Sequence, residues 1–110
     1  MAERRTFTYS EAVSLVPSVR ERTEVAYQAV EQLQLDVDGG RLTPAAAQQK
    51  ADEVVTAWAS ELMGEGLEIK GMWLVDFDNG SGYYCWQYPE PSLLYYHTYE
   101  AGFGGRVRIQ

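Results

Sequence analysis

Apolar residues recur early in the chain at alternating spacings of four and three: Ala12, Val16, Val19, Thr23, Ala26, Val30, Leu33 and Val37. Such a heptad pattern keeps one stripe along a single side of an α-helix. Thr8 and Glu11 stand just before it at capping-box spacing, and Phe7 is placed to act as a hydrophobic staple. Pro17 predicts either a kink or the start of a second helix after a short first one. Asp38-Gly39-Gly40 closes the run. A further helix is predicted from Thr43 as cap and Pro44 at the first position, with Ala47, Ala51, Val54, Trp58 and Leu62 as its stripe and Val55 widening it. Gly64 and Gly66 end it. Two helices joined by about five residues pair as an antiparallel hairpin. Their seam is rich in alanine, and at about 25 cal/mol per Å² of apolar surface it buries too little to stand alone. It needs the second half of the chain or another copy of itself.

The period changes after Gly66. Leu67, Ile69, Trp73, Val75 and Phe77 alternate with Glu68, Lys70, Leu74 and Asp76, the two-residue rhythm of a strand, with Gly71 as a bulge. Asp78-Asn79-Gly80-Ser81-Gly82 is a dense turn signal. A second strand is predicted over Tyr83 to Tyr88, a break at Pro89-Glu90-Pro91, and a third strand over Leu93 to Tyr99. The expected fold is α+β and a single domain over residues 1–110. An N-terminal antiparallel helical hairpin (1–66) packs on a small C-terminal antiparallel β-meander of about three strands, which ends in a glycine-rich and then basic tail (67–110).

Composition adds three points. With 45% hydrophobic and 23% charged residues, the chain has an ordinary globular mix. A formal charge of −7 argues against a nucleic-acid partner, because phosphate contacts need a basic face. Up to Gly66 there are 11 acids against 6 bases, so most of that acidity rides on the helices. The expected location is the cytoplasm. No apolar run approaches the roughly 18 residues of a membrane helix, Met1 to Thr6 lack a signal-peptide core, and the single Cys85 has no internal disulfide partner.

Aromatic residues mark where chemistry should be sought. Ten of the fourteen lie between Trp73 and Phe103, six of them tyrosines. His97, the only histidine, is the default proton carrier near neutrality; the plainer reading is a half-buried ring bonded to a carbonyl or a tyrosine. Glu100 joins it on one side only if the chain turns after Tyr99. Together they are the candidate metal ligands, with Asp76, Glu90 or Cys85 as supplements, for a divalent ion. Asp76 is either a buried carboxylate paired with Arg106 or a strand-end cap of the next turn. Cys85 is either an activated nucleophile or a small core residue. Gly102 to Arg106 offers free amides and an arginine to an anion.

The order of motifs along the chain resembles a known family. Phe7-Thr8-x-x-Glu11-Ala12-x-x-Leu15-x-Pro17 is followed by Leu74-Val75-Asp76-Phe77, Cys85-Trp86, Glu90-Pro91, Tyr96-His97 and Gly102-Phe103-x-Gly105-Arg106. This series is similar to the bacterial family catalogued as domain of unknown function 2203. The chain departs from the family's habit at Asp78, Pro89 and Tyr96. The resemblance carries no activity. It implies that Asp76, Cys85, Trp86, Glu90, His97, Gly102, Phe103 and Arg106 belong to the family motif.

Two functional expectations follow. In the first, the protein binds a small molecule or a metal on its sheet and tail, with or without turnover. His97 is then the acid–base group or ligand, Asp76 and Glu100 assist it, and Arg106, Tyr96, Trp86, Glu90 and Cys85 contact the ligand. In the second, it is an interaction scaffold whose heptad seam from Ala12 to Val37 pairs with another copy, as a homodimer, or with a partner helix.

Overall fold

A computed structural model describes residues 5–109. Helix α1 runs unbroken over Tyr9–Asp38. Both halves of the capping box form: Thr8 Oγ1 accepts from the Glu11 amide at 3.1 Å and Glu11 Oε1 accepts from the Thr8 amide at 2.8 Å. Pro17 sits inside the helix without ending it. Pro17 and Val13, whose carbonyl loses its helical donor there, are both exposed, so water can serve the orphaned oxygen. Helix α2 covers Pro44–Gly64, capped by Thr43 Oγ1 on the Ala46 amide at 3.1 Å.

The seam is closed where the sheet lies beneath it. Ala12, Val16, Val19, Thr23 and Ala26 are buried, as are Ala47, Trp58 and Leu62, whereas Val30, Leu33 and Val37 are only half-buried. Thr23 is the one polar seam residue, and its hydroxyl is fully used. It donates to the Val19 carbonyl at 2.7 Å and accepts from Trp58 Nε1 at 2.8 Å. At the C-terminal end of α2, Arg22 binds Glu61 at 2.9 Å and also Glu65.

The sheet has five antiparallel strands in chain order, not about three. They are β1 (Glu68–Gly71), β2 (Leu74–Asp78), β3 (Gly82–Gln87), β4 (Tyr95–Thr98) and β5 (Val107–Arg108). The irregularity expected at Gly71 is present as a register shift between Ile69 and Gly71, but the stretch predicted as one strand over Leu67–Phe77 is a hairpin instead. Its turn places Trp73 at φ +66°, a backbone region that usually calls for glycine. The indole holds that position by packing on Trp58 and Tyr27, with ring centroids 5.0 and 6.1 Å away. Strand β5 comes from the predicted tail and pairs with Tyr95 and Tyr96.

Alternation divides the sheet into two faces. Val75 pairs with Trp86 and Phe77 with Tyr84, and these residues meet the helices. Phe7 joins them, its ring edge-on to Phe77 at 5.6 Å. The opposite face carries Asp76 beside Cys85, and Tyr83 beside His97. Every residue of β2 is buried, so this second face is also covered. The cover is the turn over Tyr99–Ala101, the 3-10 turn Phe103–Gly105 and the Arg106 side chain that follows it. No helix among the described residues is long and apolar enough to cross a membrane.

Candidate functional site

The covered face brings three residues from three strands together. Asp76 on β2 and Cys85 on β3 are direct cross-strand neighbours. His97 belongs to β4, two strand spacings or about 9.6 Å from β2. Cys85 is small, which leaves room for the imidazole to reach over β3, and His97 Nε2 lies 2.9 Å from Asp76 Oδ2. One ligand atom from each of Asp76, Cys85 and His97 falls within 4.8 Å of the others, and all three residues are buried.

The hydrogen-bond pattern fixes what each atom can offer. His97 Nδ1 lies 2.7 Å from the Thr98 carbonyl oxygen, which can only accept, so Nδ1 carries a hydrogen. In a neutral ring the Nε2 lone pair then faces the Asp76 carboxylate. Two acceptors at 2.9 Å need a proton between them, carried either by Nε2 or by the carboxyl. Asp76 Oδ1 is buried, and the Cys85 thiol beside it is the donor within its reach. Burial raises the Asp76 carboxyl above its ordinary range, against the pull of Cys85 and His97 toward the ionised form. Burial, and after it the Asp76 charge, pushes the Cys85 thiol up to about 12.

A cleft of about 280 Å³ opens in front of this cluster. Lys70, Asp76, Tyr83, His97, Glu100 and Phe103 line it, whereas Cys85 lies behind. The chain does turn after Tyr99, which puts Glu100 on the His97 side. Glu100 is exposed, however, and stands outside the group of converging donors. Lys70 Nζ is 3.0 Å from Glu68 Oε1 and 4.6 Å above the Tyr83 ring, and the Tyr83 hydroxyl donates to the same carboxylate oxygen at 3.1 Å.

Several expected roles move. Asp76 pairs with His97 rather than Arg106, because Arg106 is held by Glu90 at 2.9 Å. The turn-capping role considered for Asp76 belongs to Asp78, whose Oδ1 accepts from the Gly80 amide at 2.9 Å and the Tyr99 hydroxyl at 2.7 Å. Arg106 stacks between the Tyr95 and Phe103 rings, 4.1 and 4.3 Å from their centroids, with Nη1 4.0 Å from Cys85 Sγ. Glu90 completes this clasp by accepting from the Gln87 amide at 2.7 Å, and its carbonyl accepts from Trp86 Nε1 at 2.9 Å. Arg106 and Glu90 therefore fasten the tail over the cluster. Trp86 is wholly buried among the helix-facing core, and Tyr96 pairs with Tyr84 on that same face, so neither walls the cleft.

Lys70 and Tyr83 are cleft residues that the sequence did not single out. Tyr83 was within reach of the alternation rule, lying two residues before Cys85 on the same face. Lys70 was not, because the hairpin that brings β1 to the cleft edge carries no turn residues. A larger hollow of about 470 Å³ lies between the helices, lined by Val25, Ala29, Val54 and Ala57 with Arg22 and Glu61 at its edge. It gathers no cluster of metal-ligating groups.

The arrangement defines a two-layer α+β protein with a buried nitrogen, oxygen and sulfur donor cluster on the sheet face away from the helices. The chain belongs to the family described as "Uncharacterized conserved protein (DUF2203)", whose model matches residues 5–109. No curated protein and no solved structure matches it.

Proposed function

We propose that this is a metal-binding protein in which Asp76, Cys85 and His97 hold a divalent transition-metal ion of the zinc class. The observation that carries the reading is the convergence of three chemically different donors within 4.8 Å, all buried. The Nδ1 hydrogen of His97 is already engaged by a carbonyl, the usual outer support for a histidine that ligates through Nε2. A thiolate with an imidazole suits zinc, cobalt or iron and is a poor match for calcium or magnesium, which prefer all-oxygen sites. A divalent ion would replace the proton shared by Nε2 and Oδ2, and a coordinating metal deprotonates even a reluctant thiol. Metal–ligand bonds of about 2.0–2.3 Å set tetrahedral donors about 3.3–3.8 Å apart, so side-chain rotation must bring Sγ inward by roughly 1 Å and part Nε2 and Oδ2, now 2.9 Å apart, by about 0.4 Å. A cytoplasmic setting fits, since Cys85 must stay reduced to ligate.

The test is metal stoichiometry. Purified protein dialysed against Zn²⁺ or Co²⁺ should retain one ion per chain by elemental analysis and native mass spectrometry. Cys85→Ser and His97→Ala should each weaken retention at least tenfold, while the surface change Arg108→Ala leaves it alone. Wild-type protein that retains no ion rejects the proposal.

One observation favours a second reading, self-association through the helices: Val25 is 68% exposed beside the apolar hollow between them. A strictly monomeric mass in solution excludes it.

A further inference from the structure

We infer that the metal centre is open on one side and that its free position takes a small monoanionic carboxylate from the cleft. The inference rests on the metal reading above and adds the ligand class. Structural zinc sites are closed by four protein donors, whereas three leave a position for an exogenous ligand. Asp76, Cys85 and His97 are the only group of three such donors among the described residues.

Direction comes from the cleft lining. Asp76 and His97 face the cleft and Cys85 does not, so the thiolate sits at the back of the ion and the cleft lies in front. Charge then selects the ligand. A divalent ion with one thiolate and one carboxylate is neutral, so an anion added to it needs a further cation. Lys70 lines the same cleft, and Glu68 takes one of its three ammonium hydrogens. Glu100 lines the cleft and Glu68 sits on Lys70, so a dianion such as phosphate meets about twice the repulsion of a monoanion. The rings of Tyr83 and Phe103 offer flat apolar walls to the ligand's body. The volume of about 280 Å³ lies at the small end of ligand sites, which favours a molecule the size of a single ring.

The test uses the full chain loaded with Co²⁺, whose visible absorption reports coordination. Sodium benzoate is the probe, with inorganic phosphate as comparator. Saturable spectral change with millimolar benzoate is expected, with phosphate weaker. Lys70→Met should weaken benzoate about tenfold while Co²⁺ stoichiometry stays at the wild-type value. If Co²⁺ binds and benzoate leaves the spectrum unmoved, the centre is closed and this inference fails while the metal reading stands. If Glu100→Gln turns an unresponsive centre into a responsive one, Glu100 is the fourth ligand and the inference again fails. A benzoate response of equal strength in Lys70→Met overturns the charge argument. A chain that takes up no Co²⁺ removes the metal reading and this inference together.

Discussion

Replacing Arg106 with alanine should loosen the tail without unfolding the domain. The guanidinium reaches Glu90 at 2.9 Å, and the two side chains are only 15% and 18% exposed. A hydrogen bond between charged groups in such a partly buried setting contributes about 1.5–3 kcal/mol. Stacking on Tyr95 and Phe103 adds about 0.5–1 kcal/mol for each ring. Against these stands the side-chain entropy of a long arginine, about 2 kcal/mol when fully fixed. The net effect on tail closure is about 0.5–3 kcal/mol. Glu90 is not orphaned by the change, because its Oε1 keeps the Gln87 amide at 2.7 Å. Native-state hydrogen exchange measures the result directly. The Ile109 amide, which donates to the Leu94 carbonyl at 2.8 Å, should lose protection by roughly 2- to 140-fold. Amides paired between β2 and β3 and those within α1 should hardly change. Uniform loss across the chain, or none at Ile109, refutes the idea that one arginine fastens the cover.

Thr23→Val keeps the shape of the seam but deletes the acceptor for Trp58 Nε1, leaving a buried N–H unpaired; denaturant titration should show a loss of about 1–3 kcal/mol. Gly82→Ala places a Cβ 2.5 Å from the His97 carbonyl oxygen, so β3 and β4 must part; a loss of about 1–3 kcal/mol is expected, and it should appear together with weakened metal retention. In metal-free protein the Cys85 thiol, pushed up to about 12, should resist iodoacetamide at neutral pH until the chain unfolds, as mass spectrometry of timed samples would show. The same shift gives a sign for stability. An unfolded thiol ionises near pH 8.5 and the folded one near 12, so metal-free protein should lose stability as pH rises through that window, and Cys85→Ala should lose less.

What could be read from the sequence follows from how local each signal is. Helices α1 and α2 announce themselves through residues within four positions of each other: the Thr8–Glu11 box, the Thr43–Pro44 start and the glycines at their ends. The division of β2 and β3 into an apolar and a polar face is equally local, because it needs only a period of two. The β1–β2 hairpin was hidden because its turn is held by Trp73 packing on Trp58 and Tyr27 rather than by a glycine or asparagine of its own. Strand β5 has two residues and no alternation to detect. Asp76, Cys85 and His97 were each visible as candidates, but their meeting depends on register across three strands. Reading Asp76 against Arg106 failed for the same reason. The choice between His97 and Arg106 as its partner is made by Glu90, which lies fourteen positions beyond Asp76 and claims the arginine first.

The clasp and the donors are held by different pairings. The pairs among β1 to β4 that set the register of Asp76, Cys85 and His97 do not involve Arg106 or β5. Release of the tail breaks only its contacts with Glu90, Tyr95, Phe103 and β4. The cluster is thus uncovered on its Cys85 side, where Arg106 Nη1 stands 4.0 Å from Sγ, by a local opening that leaves the rest of the sheet paired.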